Sequence, residues 1–110
     1  MIDITIVIVL VWTHFFADFV LQTDAMATKK SVSNKILAQH CFLYGVPFVF
    51  FGLMFAVINA VVHFMVDWCT SRIAKKFWLA NDRRNFFLTV GIDQAIHLTT
   101  LIITYKLLTS

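Results

Sequence analysis

The sequence predicts an all-α integral membrane protein: a bundle of four transmembrane helices with both termini on the non-cytoplasmic side. Hydrophobic residues make up 60% of the 110-residue chain and charged residues only 14%, a balance far from that of soluble domains. A single small domain of this length has too little interior to hide so many apolar side chains, so lipid must cover part of its surface. Eight of the nine basic residues also fall in two short segments, Lys29, Lys30 and Lys35, then Arg72, Lys75, Lys76, Arg83 and Arg84. Such segments look like cytoplasmic loops. The net charge of +3 therefore reports orientation in a membrane and not nucleic-acid binding.

The first predicted helix covers residues 2 to about 22, long enough at roughly 30 Å to cross a bilayer core. It is expected to be retained. The N-terminus carries Asp3 and no basic n-region, and His14 and Asp18 interrupt what would be a signal h-region. A polar segment from Thr23 to Lys35 follows, with Ser31 and Ser33 as candidate N-caps. The apolar run from Ile36 to Trp68 would be roughly 50 Å as one helix, too long for one crossing without heavy tilt.

Charge decides how that run is divided. One helix would put the two basic loops on opposite faces, against the positive-inside bias, whereas two helices put both on the cytoplasmic face. Gly45, Pro47 and Gly52 are candidate interruptions, which gives helices over about 36–52 and 55–72 with the reversal near 51–56. Residues 72–80 are expected as a short interfacial helix, with Ile73, Phe77 and Trp78 sharing one face. Asn81 or Asp82 can cap the last helix, about 86–108, with Lys106 as an outer anchor. Cys41 and Cys69 both fall toward the cytoplasm, where a structural disulfide is not expected.

All four histidines and three of the six aspartates lie inside these apolar segments: His14, His40, His63 and His97, with Asp18, Asp67 and Asp93. Each such group costs several kcal/mol in hydrocarbon unless it is paired or faces the interior. Their spacing is ordered. His14 and Asp18, His63 and Asp67, and Asp93 and His97 are each four apart, so each pair shares one helix face. The third pair is written in reverse because the fourth helix runs away from the cytoplasm. The expected result is a layer of histidines with the aspartates about one turn nearer the cytoplasm. His40 falls at a similar depth, and Gln22 continues the first helix's face. Tyr44 is a weaker candidate for a hydrogen bond near the site.

Imidazole and carboxylate together suit a divalent ion such as zinc, manganese or iron, one or two of them. The histidines are the natural ligands, and Asp18, Asp67 and Asp93 the candidates for ligand, bridge or catalytic base. Competing readings are hydrogen-bonded pairs that tie helices together, a proton or ion pathway, and haem ligation. The threonines of the last helix, Thr89, Thr99, Thr100 and Thr104, are expected to bond their own backbone. The basic rim around the site would favour an anionic, phosphate-bearing substrate.

At these residues the sequence resembles a family of small prokaryotic and phage membrane proteins of unknown function. The shared pattern is H-x3-D-F-x2-Q (His14, Asp18, Phe19, Gln22), a lone His40, H-x3-D (His63, Asp67) and D-Q-x2-H (Asp93, Gln94, His97). The resemblance implies a helical membrane fold with a shared polar site; the expected setting is the prokaryotic cytoplasmic membrane, and Gln22 and Gln94 are expected behind the ligands. More loosely, the arrangement looks like inner-membrane proteins labelled metal-dependent hydrolases. The leading expectation is thus a metal-dependent hydrolase acting on a lipid or anionic substrate from the cytoplasmic leaflet. The alternatives are an ion or proton conductor, as a homo-oligomer, and a non-catalytic subunit or modulator of a membrane complex.

Overall fold

A computed structural model describes residues 3–109, which are helical almost throughout and contain no strand. Helix α1 (Ile4–Phe15) starts at Asp3, whose carboxylate accepts the Thr5 N–H at 2.9 Å, and runs on into a π-helical turn, Phe16–Val20. A short helix α2 (Asp24–Lys29), capped by Thr23, lies in the polar segment. Helix α3 (Asn34–Gly45) is capped by Ser33 and tightens at Pro47 into a 3-10 segment, Val46–Phe51.

The chain then reverses at Gly52, whose φ of 118° is open to glycine and closed to side chains with a Cβ. Helix α4 (Leu53–Leu79) begins at once and packs back along α3. The approach is close, because a Cβ on Gly45 would lie 3.2 Å from the Ala60 Cβ. Residues 72–80, expected as a separate interfacial helix, are instead the last turns of α4, since nothing in the sequence interrupts the backbone before Ala80. There the helix ends in a Schellman turn: Asn81 takes the left-handed conformation (φ 59°), its N–H bonds the Trp78 carbonyl, and Asp82 N–H bonds that of Phe77. Asp82 then accepts the Asn85 N–H to start α5 (Arg83–Thr109).

Contacts along the helices fix their directions. Asn34 meets Arg72 while Gly45 meets Ala60, so α3 and α4 are antiparallel. Trp78 packs on Phe86 while Asn59 bonds Thr104, so α4 and α5 are antiparallel. Asp18 meets His40 while His14 meets Tyr44, so α1 opposes α3. The Arg72–Asn34 bond also joins the two basic segments at one end of the molecule.

Helices α4 and α5 are each long and apolar enough to cross a membrane, and Ile4–Val20 is a shorter apolar helix. The distribution of side chains is inverted relative to a water-soluble protein. Among the described residues, nine polar or charged side chains are buried against ten hydrophobic ones, while Trp12, Phe42, Phe50, Val61, Met65 and Ile92 face outward. An apolar cluster of Leu10, Phe48, Phe55 and Leu101 fills the end remote from the basic segments. The polar residues lie between that plug and the basic end. Cys41 and Cys69 are both free.

Candidate metal centre

Each helical segment contributes a polar stripe to one point. Helix α1 brings His14 and its π-helical turn brings Asp18; such turns recur at functional sites. Helix α3 brings His40, α4 brings His63 and Asp67, and α5 brings Asp93 and His97. All seven are buried, none more than 7% exposed. The i, i+4 spacing aims each pair inward, and antiparallel packing brings the stripes to a common depth.

The centre of the cluster is formed by four ligand atoms. His40 Nε2 and His63 Nε2 lie 3.0 Å apart, and Asp18 Oδ1 is 3.1 Å from the first and 3.5 Å from the second. Asp67 Oδ2 is 3.5 Å from both. A tetrahedral ion with nitrogen and oxygen ligands at about 2.0–2.1 Å has ligand–ligand edges of about 3.3–3.4 Å. The five edges that involve His40 or His63 bracket that value. A second set adjoins the first: His97 Nε2 is 3.1 Å from Asp93 Oδ1 and 3.7 Å from Asp67 Oδ1. Asp67 thus turns one oxygen toward each set.

Neighbouring groups hold these side chains in place. The Tyr44 ring stacks on His63 at 3.9 Å and His63 on His97 at 4.0 Å. The stack covers the two faces of the His63 ring, whose Nδ1 is buried without a hydrogen-bond partner. Gln94 donates its amide N–H groups to Asp18 Oδ2 at 3.1 Å and Asp93 Oδ2 at 3.2 Å. Its oxygen is thereby left facing His14 Nε2 at 2.6 Å. Carboxylates only accept, so the amide cannot be flipped; His14 carries its proton on Nε2, and the Tyr44 hydroxyl donates to His14 Nδ1 at 2.9 Å. Thr70 donates to Asp93 Oδ1 at 2.5 Å.

Among the described residues, Lys30 is the one lysine or arginine paired with the cluster, with its Nζ 3.0 Å from Asp67 Oδ2. Burial works against its charge, but the Asp67 and Asp18 carboxylates outweigh burial and raise its pKa. Three carboxylates against one ammonium leave a net charge of −2 with neutral imidazoles, the charge a divalent ion cancels. Beyond the carboxylates a cavity of about 530 Å³ opens toward the basic end, with Asp18, Asp67 and Asp93 on its floor.

Residues 6–110 match the family described as a protein of unknown function, DUF3307. The chain belongs to that family. No curated protein and no solved structure matches the chain.

Among the described residues of this DUF3307 protein, three triads could hold a metal ion: Asp18, His40 and His63; His63, Asp67 and His97; and Asp18, Asp93 and His97. His14, expected among the ligands, is in none of them, because both its ring nitrogens are engaged by Tyr44 and Gln94. Gln22 reaches the cavity wall but not the cluster, and its buried Oε1 has no partner. Gln94 bridges two aspartates and His14. Lys30 and Thr70 were not expected at the site. Lys30 sits in a segment whose charge a positive-inside bias alone would explain, and Thr70 Oγ1 also lies 3.0 Å from the Val66 carbonyl, the i−4 contact common to helical threonines.

Proposed function

We propose that this protein is a multi-pass protein of the prokaryotic cytoplasmic membrane whose four helical segments enclose a divalent metal centre, and that it is a metal-dependent hydrolase. The convergence of Asp18, His40 and His63, with Asp67 beside both imidazoles, carries the reading. His97 and the second oxygen of Asp67 offer ligands to a second ion. Zinc, manganese and iron all suit such ligands. The apolar outer surface supports a lipid setting, as does the 44 Å long dimension of the molecule, close to the ~40–45 Å of a bilayer with its headgroups. The basic segments at one end then lie in the cytoplasm and both termini outside.

A bound ion supplies Lewis acidity, which makes water nucleophilic near neutral pH. Asp93 stands outside the Asp18, His40 and His63 triad on the cavity floor, its Oδ1 held by Thr70. It accepts the water's proton as the water's oxygen bonds to the substrate's acyl or phosphoryl centre, then returns that proton to the departing ester oxygen. The substrate is a lipid or anionic ester entering from the cytoplasmic leaflet. Conduction is less well supported, because the apolar plug of Leu10, Phe48, Phe55 and Leu101 closes the far side of the cluster.

Elemental analysis of the purified protein, followed by chelation and metal re-addition in an ester-hydrolysis assay, tests this reading. Stoichiometric metal and turnover that returns with it are expected. A clean preparation that neither contains nor takes up a divalent ion overturns it.

A further inference from the structure

The cavity above the cluster has two unlike walls. Lys30, Ser31, Ser71 and Lys75 line one part of it. Phe19, Trp78 and Phe86 line another, and Phe19 and Trp78 are also half-exposed on the outer face. The cavity therefore meets the apolar surface of the molecule close to its basic end, at the level where indole rings settle in a bilayer.

Two polar atoms in this wall, Gln22 Oε1 and Ser71 Oγ, are buried with no hydrogen-bond partner. Such orphans are costly to leave unmade, and a ligand acceptor would satisfy the Ser71 hydroxyl. Lys75 makes no ion pair among the described residues. The wall thus offers an unpaired cation, a serine hydroxyl and a carbonyl acceptor above a floor of three carboxylates.

We infer that this cavity is the binding site for a phosphate-bearing lipid. Its phosphate lies against Lys75, Ser71 and the metal centre, and its chain leaves between Phe19, Trp78 and Phe86. This rests on the metal reading above. A phosphate offers several strong acceptor oxygens at once, which suits a lysine and a hydroxyl better than a carboxylate would. A free phosphate ester has nothing to cover the aromatic wall, whereas a lipid does. Without the ion, the carboxylates on the cavity floor repel an anion, so bound metal should tighten lipid binding.

Calorimetric titration of the detergent-solubilised full chain tests the inference, first with Mn²⁺ and then with dihexanoyl phosphatidic acid. Inorganic phosphate and dihexanoyl glycerol are the comparison probes. The Mn²⁺-loaded protein is expected to bind the phosphatidic acid at least about tenfold more tightly than either, and Lys75→Ala, on a partly exposed helix face, to weaken that binding about tenfold. Equal affinity for inorganic phosphate would make the site one for soluble anions, and equal affinity for the neutral glycerol an apolar cleft. Either result overturns the inference, as does a Lys75→Ala protein that binds normally. If Mn²⁺ itself gives no binding heat, the metal reading fails separately, and the lipid inference then fails unless phosphatidic acid still binds in a Lys75-dependent way.

Discussion

His40 Nε2 and His63 Nε2 face each other across 3.0 Å from helices that run in opposite directions. Each nitrogen also faces an oxygen of Asp18 and one of Asp67 within 3.5 Å. A neutral imidazole places at most one proton on that atom. Four acceptor-rich atoms at these separations need a cation among them or protons on the rings. The arrangement therefore predicts different fates for histidines that look equivalent in the sequence. His40→Ala and His63→Ala should empty the site, whereas His14→Ala should retain metal with affinity lowered by about 10–100-fold, the usual effect of losing a group that orients ligands. Metal content after gel filtration checks this, and equal loss in all three variants would contradict it.

Lys30 Nζ partners Asp67 Oδ2 at 3.0 Å. Removing the ammonium leaves Asp67 with an uncompensated buried charge, so Lys30→Met should destabilise the metal-free protein by about 3–5 kcal/mol. The same change removes a competitor at Asp67 Oδ2. Added metal should therefore raise the melting temperature of Lys30→Met by more than that of the wild type. Thermal unfolding with and without metal measures both effects, and equal shifts would show that Lys30 does not compete.

Gly52 turns the chain between α3 and α4. Alanine there must adopt the φ of 118° at a cost of about 1–3 kcal/mol, although nothing lies near enough to clash with its Cβ. Gly52→Ala should lower thermal stability and leave metal stoichiometry unchanged. A variant as stable as wild type would show that the turn tolerates another geometry.

The proposed orientation predicts which loops face the cytoplasm. A cysteine at Asn81, in a background with Cys41 and Cys69 replaced by serine, should react with an impermeant maleimide only after cells are permeabilised. One placed near the N-terminus should react in intact cells. The opposite pattern would invert the topology and move the cavity to the outer leaflet.

Much of the site was legible in the sequence because helical geometry is simple. An i, i+4 pair shares a face whatever it packs against, so His63 with Asp67 and Asp93 with His97 could be oriented without a structure. The reversal at Gly52 was readable from charge and length. Other features depend on atoms from different segments and leave no local pattern. The division of Asp67's two oxygens between His40 and His97 is one; the turning of His14 toward Tyr44 and Gln94 is another. Lys30 was hidden because its segment already had a sufficient explanation in the positive-inside bias. The unbroken run of α4 to Leu79 was missed because Lys75, Lys76 and Trp78 also fit an interfacial helix.

X-ray absorption at the metal edge of the purified protein tests the central claim most directly. The account predicts about four nitrogen and oxygen neighbours at about 2.0–2.1 Å, with the outer-shell scattering of two imidazoles, lost in His40→Ala. A bound ion surrounded by water oxygens alone, with no imidazole signal, would contradict it.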